Sequence, residues 1–220
     1  KISDGEARLA VQAMEEVVHE HPYDAQSRAI LVNVYNQVSD VDPQYLARAE
    51  REAQEALKLS PRRQEIYFYL AKTKTLQREN EEALEILRSA IDLAPEVSQG
   101  HFYYGLVAFA GNKPEQGFLE VEKAIALGLN VRDKDELMVA ANYYVDNGYA
   151  SRTVPLYKKM VEIDDSDIEA KLKLGVAYYL SGEFDGARRY ILEAGREFDF
   201  KDSNLYLPLK PIFQDLGLNL

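Results

Sequence analysis

A fixed interval of 34 residues runs through this 220-residue chain, separating Pro61 from Pro95, Ala56 from Ala90, Ala90 from Ala124, and Ala71 from Gly105. The same interval separates Ala141 from Gly175, Tyr144 from Tyr178 and Gly148 from Gly182. A period of this length restricts the chain to a stack of like units, because one supersecondary unit cannot bury its apolar face alone. Apolar residues recur at spacings of three and four, and most of the 12 glycines and 8 prolines stand between such stretches. That pattern reads as helix, turn, helix. Nothing alternates at period two for long enough to make a sheet, so an all-α stack is expected.

Composition narrows function more than fold. The chain has no cysteine, which excludes disulfides, thiolate metal sites and cysteine nucleophiles. Lys and Arg number 26 against 37 Asp and Glu, a net charge of −11 that disfavours phosphate backbones and anionic lipid. No nucleic-acid partner is expected. The acidity is spread along the chain rather than gathered in one patch. No apolar run approaches the ~18 residues of a membrane span, so no membrane insertion is expected. The opening Lys1-Ile2-Ser3-Asp4 is neither an initiator methionine nor a signal peptide, and the chain reads as a soluble fragment of a longer array.

The interval, with small residues where helices cross and a proline at the helix end, resembles the tetratricopeptide repeat (TPR), which pairs two antiparallel helices per unit. The resemblance spans nearly the whole chain and implies a right-handed superhelical solenoid. In the unit at 62–97, Tyr67, Leu70 and Ala71 match the family's Trp-x2-Leu-Gly, and Ala83, Leu87, Ala90 and Pro95 match its second helix and stop. The unit at 168–201 matches through Leu174-Gly175, Tyr178, Gly182, Phe184, Ala187, Ile191 and Ala194. Those at 98–133 and 134–167 are looser. The first carries Tyr104-Gly105, Gly117, Val121 and Ala124, and the second Ala140-Ala141, Tyr144, Gly148, Thr153 and Tyr157. Leu31, Tyr35, Ala49, Ala53, Ala56 and Pro61 make a further copy at 23–61, whose insertion around Asp40-Val41-Asp42-Pro43 should lengthen a loop or the following helix.

The ends differ. Residues 1–22 look like the second helix of a unit, with Ala10, Met14 and Val17 at its packing positions and Pro22 closing it. In 202–220 the two prolines Pro208 and Pro211 argue for a loop and then a short capping helix beginning near one of them. Departures from the pattern are also informative. The family's tryptophan is replaced by Tyr67, His101, Leu137 and Lys171 in successive units, and Thr153 and Met160 replace small residues. Arg132 and Asp133 are surplus to the period, so the third and fourth units are expected to pack less regularly.

In this family the first helices line a concave face that binds other proteins. Carried over by position, the resemblance implies a peptide-binding face that includes Asn33, Phe68, Tyr69, Lys72, Phe102, Tyr103, Leu106, Phe109, Asn142, Lys173 and Tyr179. Rings supply apolar area at little rotamer cost and amides can bond a main chain, which suits an extended peptide or a helix. Aromatics at helical spacing usually belong to a core, so Phe68 and Phe102 are expected mainly to pack, while Tyr69, Tyr103, Lys72 and Asn142 are the stronger contact candidates. The trough has two further candidate occupants, the chain's own leucine-rich C-terminal segment and a second molecule, which would mean self-association. The family's capture of a C-terminal carboxylate needs cations that this sequence lacks. The corresponding residues are Ala29, Asn33, Tyr69, Gln99 and Tyr103, of which Asn33 alone fits.

No catalytic residue, metal or cofactor is expected. His19 and His21 stand two apart at a helix end, a poor metal spacing, and His101 takes the packing position of a tryptophan. Asp164-Asp165-Ser166-Asp167 lacks the glycine and distal glutamate of a calcium loop and suits helix capping. Phosphate-loop and nucleophile-elbow motifs are missing. The run His21-Pro22-Tyr23-Asp24-Ala25, followed by a unit with a long turn, is similar to soluble repeat tails of bacterial membrane proteins of the O-antigen ligase and polymerase type. That resemblance implies an accessory, extracytoplasmic role in assembly, whereas a free-standing adaptor would be cytoplasmic.

Overall fold

The computed structural model describes residues 3–197 and 206–218. The described residues contain twelve α-helices, one 3-10 turn and no strand. They fall into two compact units, 1–128 and 129–220. The first unit holds α1 (Asp4–Glu20), α2 (Ala25–Gln37), α3 (Gln44–Leu59), α4 (Gln64–Leu76), α5 (Asn80–Leu93), α6 (Ser98–Ala110) and α7 (Pro114–Ala126). The second holds α8 (Lys134–Asp146), the 3-10 turn (Ala150–Arg152), α9 (Val154–Ile163), α10 (Ile168–Ser181), α11 (Phe184–Glu197) and α12 (Tyr206–Asp215).

Helix starts follow from local chemistry. Ser3 and Glu6 form a reciprocal capping box at α1, and the carboxylates of Asp24, Asp133 and Asp167 accept from the first backbone N–H groups of α2, α8 and α10. The turns within units share a subtler device. Outside the longer α2–α3 turn, one residue in each takes a left-handed conformation: Arg78 (φ 65°), Asn112 (φ 58°), Gly148 (φ 81°) and Gly182 (φ 85°). Glycine is at ease there, whereas Arg78 is not.

Pairing within units depends on small residues at the crossings. Ala49, Ala53 and Ala56 on α3, and Ala83, Leu87 and Ala90 on α5, have no exposed surface. A methyl added at Gly105 would stand 2.5 Å from Val121 Cγ2 and 3.0 Å from the Gly117 carbonyl oxygen, so α6 and α7 meet nearly backbone to backbone. In the first unit α2 packs on α3 and α4, α4 on α5 and α6, and α6 on α7. In the second α8 packs on α9, α9 on α10, and α10 on α11.

Polar clamps tie the helices of the first unit, both within and between pairs. Asn36, buried on α2, donates from Nδ2 to the Tyr69 carbonyl at 2.9 Å. Gln64 Nε2 donates to the Ala90 carbonyl at 2.6 Å. Lys74 is buried on α4 and pairs with Glu50 (2.9 Å), Glu79 (2.7 Å) and Glu82 (3.0 Å), joining α3, α4 and the start of α5. His101 sits between the Glu120 carboxylate, 2.5 Å from Nδ1, and the Pro95 carbonyl, 2.9 Å from Nε2.

The insertion near Asp40 lengthens both elements named as alternatives. Residues 38–43 form a longer turn, and α3 runs to 16 residues. The fourth pair is irregular at its second helix, where the 3-10 turn precedes an α9 of only 10 residues. Pro155, which lacks an N–H, fits the opening turn of α9. At the C-terminus, α12 begins at Tyr206, ahead of both prolines. Pro208 falls in the first turn, where no intrahelical donor is required, but Pro211 lies inside the helix. Tertiary burial outweighs that cost. Phe213 and Leu216 are buried with Leu172, Ala187, Ile191 and Ala194, and Arg188 donates to the Leu216 carbonyl at 2.7 Å. The loop expected before α12 lies mostly outside the described residues.

Candidate interaction site

The sequence-predicted face divides between the two units. In the first, Asn33, Phe68, Tyr69, Lys72, Tyr103 and Leu106 are half-buried on α2, α4 and α6. The Phe68 and Tyr103 rings meet at 5.2 Å between centroids. The Tyr69 hydroxyl donates to Glu65 Oε1 at 3.1 Å. Phe102 packs as expected, and one expected contact residue, Phe109, is corrected here. Phe102 is 0% exposed and Phe109 3% exposed, so both are core residues. Phe109 turns edge-on to Phe118 at 5.1 Å and fills the space that a side chain at Gly117 would need. Both rings shape the unit from within rather than face a ligand.

In the second unit Asn142 is exposed on α8. Lys173 is half-buried, with Nζ 2.8 Å from Glu169 Oε1 and 3.3 Å from Met138 Sδ. The Tyr179 hydroxyl donates to Asp215 Oδ2 at 2.5 Å, and that bond pushes its pKa up. Part of this surface is therefore engaged by α12, the chain's own C-terminal helix.

Beside Lys173 lies an open groove of about 550 Å³. It is lined by Leu172, Val176 and Leu180 of α10, Val145 of α8, Tyr157 of α9, and Pro208 and Leu209 of α12. The groove lies where the fourth pair is irregular. A full α-turn before α9 is replaced by the 3-10 turn, and Ala150 and Thr153 border the space. Its lining is mostly apolar, with few polar groups. Tyr157 and Leu209 were not among the expected site residues. The sequence signals were the proline at 155 and the threonine at 153, where the other units carry a small residue.

Among the described residues no three of His, Asp and Glu stand close enough together to hold a metal ion. No described helix is long and apolar enough to cross a membrane.

The sequence pattern of the tetratricopeptide repeat matches residues 46–96 and 76–129. Several solved structures resemble the fold. A thermophilic TPR protein of Thermus thermophilus is 20% identical, with 80% of this chain and 92% of that chain covered and a TM-score of 0.61. PilF of Pseudomonas aeruginosa is 20% identical over 94% of this chain and 90% of that one, with a TM-score of 0.58. A chain of the APC/C heterotetramer Cut9–Hcn1 is 14% identical over 96% of this chain and 40% of that one, with a TM-score of 0.57. Comparison with curated proteins finds no match, and the likeness of residues 21–25 to O-antigen ligase and polymerase tails gains no support from it. The chain has the all-helical fold of tetratricopeptide-repeat solenoids, and its residues 46–129 carry the sequence pattern of that repeat.

Proposed function

We propose that this chain is a non-catalytic protein-interaction module that binds a peptide or helix along the first helices of its units. The observation that carries this reading is the apolar groove of about 550 Å³ that Leu172, Val176 and Leu180 of α10 help to line, residues that the resemblance assigns to the binding face of a first helix. The half-buried rings of Phe68, Tyr69 and Tyr103 offer a second apolar surface of the same type on α4 and α6. The fold supports it too, since repeat stacks present extended binding surfaces rather than a single catalytic cleft.

The test uses peptides selected from a random library on the full chain, with affinities measured by calorimetric titration. Weakened binding in Tyr69→Ala with Tyr103→Ala, or in a variant that blocks the α10 groove, supports recognition along the first helices. Binding untouched by both refutes it.

A further inference from the structure

The groove of the second unit holds one polar group that the fold itself does not use. Tyr157 is 5% exposed and lines the groove, yet its hydroxyl makes no hydrogen bond to any described residue. The hydroxyl is not among the fully buried polar atoms, so it opens onto the solvent of the groove. A ligand lying in the groove can replace that solvent with an acceptor of its own. Burial and then the nearby Glu169 carboxylate push the Tyr157 pKa up, so the hydroxyl keeps its proton and donates. Glu169 and Lys173, paired at 2.8 Å, stand on the same groove. The chain supplies its own precedent for the occupant, since Pro208 and Leu209 of α12 already line part of it.

We propose that this groove is the anchor pocket of the interaction face: it takes one bulky apolar side chain of a partner peptide, with a main-chain carbonyl of that peptide accepting from the Tyr157 hydroxyl. Glu169, whose side chain is 70% exposed, is placed to accept from a peptide N–H. A peptide unit offers one acceptor and one donor beside each side chain, which matches this arrangement. A purely apolar small molecule would leave Tyr157 unpaired, and an anion would meet Glu169. Tyr157 is thus a specificity-determining residue built into the core of the fourth pair. The proposal rests on the reading of the chain as a peptide-binding module.

The experiment takes peptides selected from a random library on the full chain and measures their binding by fluorescence polarisation. Variants are Val176→Glu, which puts a charge into the groove at a half-buried position, Tyr157→Phe, which removes the hydroxyl alone, and Tyr69→Ala with Tyr103→Ala. Circular dichroism confirms that each is folded. The selected peptides are expected to share a Leu, Met or Phe, to lose binding at least about 10-fold in Val176→Glu, and to lose roughly 5-fold in Tyr157→Phe, the effect of one hydrogen bond. Binding that survives Val176→Glu but falls in the double tyrosine variant overturns the anchor pocket and leaves the interaction module standing. Full binding in Tyr157→Phe overturns the hydroxyl's role. Failure to select any binding peptide overturns both readings.

Discussion

The Thr73 hydroxyl donates to Asn36 Oδ1 at 2.9 Å, while Asn36 Nδ2 donates to the Tyr69 carbonyl one turn before Thr73 on the same helix. Both side chains are buried, so a single amide satisfies two polar groups across the α2–α4 contact. Asn36→Ala should remove one of the bonds to the Tyr69 carbonyl and the Asn36 acceptor of Thr73, whose hydroxyl keeps the Tyr69 carbonyl at 3.0 Å, so the cost is about 1–2 kcal/mol. Denaturant titration of the single variants and of Asn36→Ala with Thr73→Val checks this. The double variant is expected to lose less than the sum of the two, as coupled partners do.

Arg78 is held at φ 65° in a turn where Gly148 and Gly182 serve elsewhere. Arg78→Gly should therefore raise stability by about 0.5–1 kcal/mol, because relief of the left-handed strain exceeds the added flexibility of the unfolded chain. Gly182→Ala should lower it by about 1 kcal/mol. Thermal unfolding of both variants tests the sign.

Gly105 permits the close approach of α6 and α7, whereas Ala71, one period earlier, already carries a methyl at the corresponding crossing of α4 and α5. Gly105→Ala should cost about 1–3 kcal/mol through contact with Val121 Cγ2 and the Gly117 carbonyl. Ala71→Gly should cost about 1 kcal/mol, through helix propensity and a lost buried methyl. A Gly105→Ala variant as stable as the unmodified chain in denaturant unfolding would contradict the close approach of α6 and α7 described above.

Lys74 gathers three glutamates from two other helical segments and its own helix's C-terminal turn. Burial opposes its charge, but the hydrogen bonds to Glu79, Glu50 and Glu82 outweigh this and hold its pKa above the ordinary value. The Lys74 hydrogen bond is the main cause that lowers the Glu50 pKa from 4.5. A carboxyl depressed on folding contributes stability above its unfolded pKa and loses it as pH falls through the folded value. Lys74→Met is therefore expected to destabilise at pH 7 by about 1 kcal/mol, a figure reduced because the carboxylates reach solvent. The difference from the unmodified chain should shrink below the ordinary carboxylate pKa, as urea titrations at neutral and acidic pH would show.

Much of the fold could be read from particular residues before any coordinates. The helix pairs follow from the interval linking Ala71 to Gly105 and Ala141 to Gly175, and the starts of α2, α8 and α10 from Asp24, Asp133 and Asp167. The site was less legible. Asn142 and the tyrosines at 69 and 103 reach the surface to differing degrees, but Phe102 and Phe109 do not, although all came from the same positional rule. A positional rule specifies the side of a helix and takes no account of the neighbour lying over it.

Helical periodicity, small residues at crossings and carboxylates before helices are properties of short windows or of one repeated register, so the amino-acid order alone settles them. Long-range packing settles the remainder. Pro211 sits inside α12 because Phe213 and Leu216 bury against residues of α10 and α11. The groove borders the shortened α9 and the apolar face of α10 because distant segments, including Leu209, meet there without filling it. Tyr157 becomes a binding candidate for the same reason: that its hydroxyl has no partner among the described residues depends on every element folded around it.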